Sequence, residues 1–296
     1  MSIVERALKK TQAAHRGVGQ RSGDAAAAAA ARGADRAQQA AAIDPAVRIQ
    51  PVAVAVDPET CRERRLLISN AAGEHDRAAV AAYRMLRTRL LHRARSKNWS
   101  TIAVTSAGPN DGKTLTVLNL ALSMAREKSR DIVLLDMDMR NPSVCRMLDV
   151  HAPHEMRDFL EHGERVNEIF FSIGSENLLI AGGMTPAEHA SELLAGPRFN
   201  ELVQVVKRGT VDPMVLIDLP PVLVTDDALV VAPKVDAVLV VASEGLTNRA
   251  ELAKALDLLS EFPIVGVVLN RAAETTPDYN YGYDAEENAA SGAKRN

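Results

Sequence analysis

A glycine-containing loop between an apolar run and an amphipathic stretch constrains the fold of this chain more than any other feature. The loop reads Ser106-Ala-Gly-Pro-Asn-Asp-Gly-Lys-Thr114 and directly follows the run Ile102–Thr105, which predicts a short buried strand. After the loop, apolar side chains fall on one face of a predicted helix: Val117, Leu118, Ala121, Leu122 and Ala125. A strand, a tight loop and a helix in this order bring backbone N–H groups and a helix N-terminus together, where they can bind phosphate groups.

The side chains of this loop suit a nucleotide site that also holds Mg²⁺. Lys113 would neutralise the β- and γ-phosphates, the Thr114 hydroxyl would bind Mg²⁺, and Gly112 would allow the backbone to approach closely. The strict P-loop pattern has glycine at position 107, where this chain has Ala107. The predicted nucleotide-binding residues of the loop are Gly108, Pro109, Asn110, Asp111, Gly112, Lys113, Thr114 and Leu115.

Further apolar runs alternate with stretches of mixed polarity along the rest of the chain. The runs predict strands at Ile132–Leu135, Leu178–Ala181, Met214–Ile217, Ala237–Ala242 and Ile264–Leu269. Longer mixed stretches predict helices at Glu188–Lys207 and Asn248–Ser260. Because strands that are apolar throughout are covered on both faces, as in parallel sheets, the sequence predicts an α/β fold with a doubly wound, mostly parallel sheet.

Carboxylates stand at the ends of two of these predicted strands. Asp136 ends the first and Asp138 follows it closely, while Asp218 ends the second. The carboxyl ends of parallel strands converge on the crevice where ligands bind, so these side chains are candidates for catalysis and for binding a metal. Taken singly, each could instead be a helix N-cap or a surface carboxylate.

Charge and cysteine content exclude several classes of protein. The 35 basic and 38 acidic residues give a net charge of −3, which provides no field for holding nucleic acid. Cys61 and Cys145 are far apart and form no metal-binding or disulfide pattern. Apolar runs fall well short of the roughly 20 residues of a membrane-spanning helix. Charged residues such as Glu5 and Lys9 interrupt any signal peptide, so we expect a cytoplasmic protein.

Composition divides the chain into three predicted parts. Residues 1–76 are alanine-rich and include a short amphipathic stretch at Ile3–Leu8, which predicts a flexible appendage. Residues 77–273 contain the alternating strands and helices and form the predicted nucleotide-binding domain. Residues 274–296 are polar and lack apolar periodicity, which predicts a flexible tail.

The tail carries three of the four tyrosines of the chain, at Tyr279, Tyr281 and Tyr283. Nothing around them offers a core in which the rings could be buried, and Asp278 and Asp284 flank them. We interpret the cluster as phosphoacceptors on a mobile segment. A polar chain end that contains aromatic residues without a role is the alternative.

Together, these motifs resemble the bacterial tyrosine kinases, the P-loop autokinases of exopolysaccharide and capsule export. The resemblance rests on GPxxGKT in the loop, on LLDxDxRxP from Leu134, on an apolar run followed by DxPP around Asp218, and on the tyrosine-bearing tail. It covers residues 77–283, and the chain start Met1–Leu8 is similar to cytoplasmic members associated with exosortase-type polysaccharide loci.

This resemblance implies an ATP- and Mg²⁺-dependent autokinase. Thr114, Asp136 and Asp218 would hold Mg²⁺, and Asp136 or Asp138 would activate the tyrosine hydroxyl beside Lys113. Asn270, at the end of the last strand, would contact the adenine edge, although a turn-forming asparagine is an equal alternative. The implied partners are a membrane chain-length regulator or polysaccharide co-polymerase, a cognate tyrosine phosphatase and other copies of the chain, at the inner face of the plasma membrane.

A predicted helix at the start of the domain bears on self-association. In the family, an E-x-x-R-x-x-R helix lets subunits form rings. Arg84 and Arg87 match this pattern, but Ala81 stands where the glutamate belongs. A ring built on that ion pair is therefore not expected, and an exposed basic helix face is the alternative.

Two other functions fit parts of the sequence. The MinD/ParA positioning ATPases share the expected P-loop NTPase fold, but they carry a lysine five residues before the P-loop lysine, where this chain has Gly108. An adapter that binds nucleotide without kinase activity would explain the altered ring helix and the small number of tyrosines.

Overall fold

The computed structural model describes residues 48–68, 77–152, 154–163 and 166–272, in which eight strands form a single sheet. The strands are β1 (Val52–Ala53), β2 (Thr101–Ser106), β3 (Ile132–Asp136), β4 (Phe171–Ser172), β5 (Leu178–Ala181), β6 (Met214–Asp218), β7 (Ala237–Ser243) and β8 (Ile264–Asn270). Their order across the sheet is β1-β4-β5-β3-β6-β2-β7-β8. Pairing is parallel except between β4 and β5. The predicted α/β fold is confirmed.

Helices cover both faces of this sheet. They are α1 (Pro58–Glu63), α2 (Arg77–Lys97), α3 (Lys113–Met124), α4 (Val144–Leu148), α5 (Met156–His162), α6 (Ala190–Ala195), α7 (Pro197–Gly209), α8 (Asp227–Val231) and α9 (Arg249–Leu258). Short 3₁₀ turns follow at Val166–Ile169 and Ala232–Lys234. Within the described ranges, none of the helices combines the length and the apolar character needed to cross a membrane.

The core consists of two layers, one on each face of the sheet. Ala103 belongs to one apolar cluster, whereas its neighbours Ile102 and Val104 belong to the other, as the two-residue side-chain period of a strand requires. Helix α7 packs Phe199 into the first layer, and helix α3 packs Leu118 into the second. The central strands are buried along their whole length, which explains their continuous apolar runs.

The structure corrects one part of the predicted domain division. Residues 48–68 fall within the predicted appendage 1–76, but β1 pairs with β4 and the side chains of Ile49, Cys61 and Leu66 are buried in the core. The few apolar residues of this segment lie among small and polar ones, so they form no helical or strand period from which a folded segment could be predicted. The Ile3–Leu8 stretch and the tyrosine tail lie outside the described residues.

The predicted helix Glu188–Lys207 is in fact two helices. Helix α6 ends at Ala195, and α7 begins at Pro197 after Gly196, whose extended backbone separates them. Proline fits the first turn of a helix because its missing N–H has no partner there. The predicted helix Asn248–Ser260 corresponds to α9, which Asn248 caps by accepting from the Glu251 N–H at 2.8 Å.

Candidate active site

The predicted P-loop joins the end of β2 to the start of α3, at the carboxyl edge of the sheet. Gly112 adopts φ +84°, a left-handed conformation that strains residues with a Cβ. A Cβ on this residue would also overlap the Asn270 amide nitrogen. Glycine is therefore required here on two grounds, and α3 begins immediately afterwards at Lys113.

The Lys113 ammonium lies between two carboxylates. Its Nζ donates to Asp138 Oδ2 at 2.7 Å and lies 3.7 Å from Asp218 Oδ1. Burial lowers the pKa of Lys113, but the charges of Asp218 and Asp138 outweigh this effect and raise the pKa above its ordinary value. The lysine therefore stays protonated and able to bind an anion.

Thr114 and Asp218 form the second contact of the site. The Thr114 hydroxyl donates to Asp218 Oδ2 at 2.6 Å, and Asp218 is fully buried at the end of β6. Burial raises the pKa of Asp218, while the charge of Lys113 and the Thr114 hydrogen bond oppose the rise. Asp218 Oδ1 is buried and has no hydrogen-bond partner among the described residues. A hydroxyl and an unsatisfied carboxylate oxygen are the hard donors that Mg²⁺ prefers, so these residues fit that ion.

Asp136 is directly opposite Asp218 in the pairing of β3 with β6. Its Oδ2 accepts the N–H groups of Ser143 and Val144, each at 2.9 Å, and its Oδ1 accepts the Asp138 N–H at 3.2 Å. Burial and the Asp218 charge raise the pKa of Asp136 to about 7, although the N–H donors lower it. Oδ1, with a single long hydrogen bond, keeps the capacity to accept a proton or to lie beside a cation.

Contacts that the sequence did not predict join the P-loop to the loop after β7 and to the end of β8. Asp111 accepts the Thr247 hydroxyl at 2.6 Å through Oδ1 and the Gly108 N–H at 3.0 Å through Oδ2. Asn270 donates from Nδ2 to the Asp111 carbonyl at 2.9 Å. Thr247 carries no motif, and 136 residues separate it from Asp111, so only the fold could pair them.

The loop after β3 is held by a second network that pattern analysis missed. Arg140 donates from Nε to Asp227 Oδ2 at 3.0 Å and from Nη2 to the Ser191 hydroxyl oxygen at 2.9 Å. Ser191 in turn donates to Asp227 Oδ1 at 2.6 Å, and Asp227 is fully buried. This network fixes the loop that carries Asp138 against helices α6 and α8.

Comparison with known proteins shows which family has this fold and this site. A family model described as ParA, NUBPL iron-transfer P-loop NTPase, matches residues 98–289. The tyrosine-protein kinase CpsD of Streptococcus pneumoniae serotype 4 is 31% identical over 176 residues, which cover 57% of this chain and 75% of that protein. The chain belongs to the bacterial tyrosine kinases. The tyrosine-protein kinase YwqD of Bacillus subtilis is 26% identical over 204 residues, which cover 68% of this kinase and 84% of that protein.

Solved structures agree with this assignment. The kinase domain of the Escherichia coli tyrosine kinase Etk matches 73% of this bacterial tyrosine kinase and 83% of its own chain, with a TM-score of 0.62 and 26% identity. MinD from Pyrococcus horikoshii, in complex with Mg-ADP, covers 58% of this chain and 70% of its own, with a TM-score of 0.50 and 21% identity. The MinD likeness shows the shared fold alone.

The structure of this bacterial tyrosine kinase brings most predicted site residues together. Lys113, Thr114, Asp138 and Asp218 contact one another, and Asp136 lies beside them. Asn270 contacts the P-loop backbone. Tyr279, Tyr281 and Tyr283 lie outside the described residues.

The predicted ring helix corresponds to α2, and its two arginines differ in surroundings. Arg87 donates from Nη1 to the Ser123 carbonyl at 2.8 Å, and its Nε lies 3.5 Å from Glu127. Arg87 is therefore engaged within its own chain, at the end of α3. Arg84 is exposed on the same helix.

Proposed function

We propose that this chain is an ATP-dependent protein-tyrosine autokinase that phosphorylates Tyr279, Tyr281 and Tyr283 of another copy. Membership of the bacterial tyrosine kinases supports the reaction class. The observation that carries the proposal is the grouping of Lys113, Asp138 and Asp218 within 3.7 Å at the head of the P-loop helix. Phosphoryl transfer needs positioning and charge neutralisation, and this grouping provides both.

Each residue has a role in the proposed transfer. The P-loop amides and Lys113 would hold the β- and γ-phosphates, while Thr114 and Asp218 would hold Mg²⁺. When bound, Mg²⁺ neutralises charge on the phosphate oxygens. The tyrosine oxygen attacks the γ-phosphorus, the bond to the β-phosphate oxygen breaks, and ADP leaves. Asp136 would accept the phenol proton, because a base with a pKa near 7 works best near neutral pH.

A mixing experiment tests transfer between copies. The Lys113→Met chain keeps its tyrosines but lacks the phosphate-binding lysine, and the Tyr279/281/283→Phe chain keeps its active site but lacks acceptors. We expect no tail phosphotyrosine when either chain is incubated alone with Mg-ATP, and phosphotyrosine on the Lys113→Met chain in the mixture. Phosphosite mapping by mass spectrometry distinguishes the two chains.

The mixture also separates the alternatives. If the wild-type chain phosphorylates its tail but the mixture of the two variants contains no phosphotyrosine, transfer occurs within one chain. If the wild-type chain stays unmodified with a membrane fraction present, the kinase proposal fails and a nucleotide-binding adapter explains the fold better.

We also propose that this kinase acts in the cytoplasm with a membrane partner, a chain-length regulator of polysaccharide synthesis, and a cognate phosphatase. The chain spans only 26% of the Escherichia coli kinase Etk but 75% of CpsD. Co-purification of the partner's cytoplasmic segment with this kinase, and faster autophosphorylation in its presence, would support this; polysaccharide of unchanged length in a deletion strain would count against it.

A further inference from the structure

A basic cleft lies between helix α2 and the end of helix α3, away from the P-loop. Its volume is about 190 Å³, which is smaller than the roughly 300–1,000 Å³ of sites that enclose a whole small-molecule ligand and suits a single side chain. The residues that line it are Leu67, Val80, Tyr83, Arg84, Arg87, Ser123 and Arg126. Lys113 begins α3 and Ser123 lies near its end, so the cleft is about 15 Å along the helix from the nucleotide site. The kinase mechanism proposed above does not use it.

The charges in this cleft favour an anion. Arg84 and Arg126 form no ion pair with any residue in the described part of the chain, and both are exposed. Glu127, 3.5 Å from the Arg87 Nε, is the carboxylate that offsets part of the charge. Ala81, one helical turn before Arg84, offers no carboxylate to pair with it. Two guanidinium groups are therefore free to bind a phosphate group, for which their planar forks are suited.

The remaining wall of the cleft is apolar. Val80 and Leu67 line it beside Tyr83, and the Tyr83 side chain packs against the core cluster beneath. An apolar surface next to free guanidinium groups matches a ligand with an aromatic ring and a phosphate, which is the chemistry of phosphotyrosine.

We propose that this cleft binds the phosphorylated C-terminal segment of its own chain, through Tyr279, Tyr281 or Tyr283. The proposal rests on the proposed function, which supplies the phosphate groups. Residues 273–293 contain five carboxylates and no basic residue, so the segment complements the charge of the cleft even before phosphorylation.

The reach of the segment fits the same chain. Strand β8 ends at Asn270, which contacts the P-loop, and the described residues end at position 272. From there to Tyr279 the chain can span about 23 Å when extended, at roughly 3.3 Å per residue. This exceeds the distance of about 15 Å along α3 between the P-loop and the cleft. A modified tail could thus leave the active site and dock on its own α2–α3 surface.

A binding experiment with synthetic peptides tests the site without relying on kinase activity. The full chain with Tyr279/281/283→Phe, which keeps its active site and lacks acceptors of its own, is saturated with Mg-ADP. It is titrated against fluorescent peptides of residues 274–289, with and without phosphate on Tyr281. We expect the phosphopeptide to bind at least tenfold more tightly by fluorescence anisotropy. Arg84→Ala with Arg126→Ala should remove this preference, whereas Arg89→Ala, on the same helix but outside the cleft, should keep it. Excess inorganic phosphate should compete.

Two results would overturn the proposal. Equal affinity for both peptides would show a basic surface that binds acidic segments without recognising phosphate. An unchanged preference in the Arg84/Arg126 variant would place the binding elsewhere. If the wild-type kinase proved inactive, the peptide result would stand independently. For the same-chain geometry, hydrogen exchange of the chemically or enzymatically phosphorylated full chain should show protected α2 amides at all concentrations. If the protection disappears on dilution, and the sample has the mass of a dimer before dilution, the tail docks on another copy instead.

Discussion

Lys113 Nζ and Asp138 Oδ2 lie 2.7 Å apart, so the lysine expected to bind phosphate is already paired with a carboxylate. Nucleotide must compete with this ion pair for the ammonium group. We therefore expect Asp138→Asn to strengthen ADP binding in the absence of Mg²⁺, by roughly three- to tenfold, because the competing charge is gone. Tyrosine phosphorylation should nevertheless fall by about 10²-fold or more, because the contact that positions the Lys113 ammonium beside the reacting phosphate is lost. Calorimetry and phosphotyrosine assays check the two effects separately, and weaker ADP binding would contradict this account.

Asp136 makes the stability of the nucleotide-free chain depend on pH. Its pKa is raised from 3.8 to about 7, so the folded chain keeps a proton that the unfolded chain releases. The free energy of unfolding therefore falls as pH rises between these values. Asp136→Asn should remove this decline and should be more stable than wild type at pH 8, on the order of 1–3 kcal/mol. Urea unfolding in EDTA at pH 5.5 and 8 measures it; the exposed Asp257→Asn control should follow wild type.

The bond between Thr247 and Asp111 should hold the P-loop against the loop after β7. Thr247→Val keeps the side-chain shape but leaves a carboxylate oxygen without its donor at a residue only 2% exposed. We expect a loss of about 1–3 kcal/mol in the free energy of unfolding, together with weaker ADP binding. Thr247→Ser should restore both. Thr101→Val is the matched control, because the buried Thr101 hydroxyl has no partner within the described ranges. A similar loss of stability in Thr101→Val would show that the loss in Thr247→Val does not come from the bond to Asp111.

Two glycines of the P-loop should respond differently to alanine. Gly112→Ala combines a left-handed φ with overlap of the Asn270 side chain, and we expect it to lower the free energy of unfolding by about 1–3 kcal/mol. Gly108→Ala meets nothing within 4 Å and should change the stability of the nucleotide-free chain by less than about 0.5 kcal/mol. Adding Asn270→Ala to Gly112→Ala should recover part of the loss. Equal destabilisation at both glycines would contradict this explanation.

Residues 48–68 should behave as part of the folded domain. Leu66 is 3% exposed in the core cluster beneath α2 and α3, so Leu66→Ala should cost about 2–4 kcal/mol of unfolding free energy. Val52→Ala, at a residue that is 54% exposed, should cost less than about 0.5 kcal/mol. Thermal and urea denaturation measure both. If the Leu66→Ala chain is as stable as wild type, residues 48–68 do not contribute to the folded domain and belong to the predicted appendage.

Sequence patterns located the site because its chemistry is concentrated in short motifs. The P-loop lies within nine consecutive residues, and Asp136 and Asp218 each end a continuous apolar run. Parallel strands place their carboxyl ends at the same edge of the sheet, so the sequence alone was enough to expect these two carboxylates near the P-loop. The strands β1 and β4 were missed because two residues each are too few to show a period.

The sequence by itself determined the fold class, the phosphate-binding loop and the identity of the carboxylates near it, because periodicity and motif spacing are local properties. Only the tertiary structure decided which groups pair. It joined Asp111 to Thr247, Arg140 to Asp227 and Arg87 to the end of α3, across 136, 87 and 36 residues. Such contacts depend on how strands are ordered in the sheet and how helices pack on it. No local pattern encodes that order, so the hydrogen bonds that position the P-loop, and the free arginines of the α2–α3 cleft, emerge only when the chain is folded.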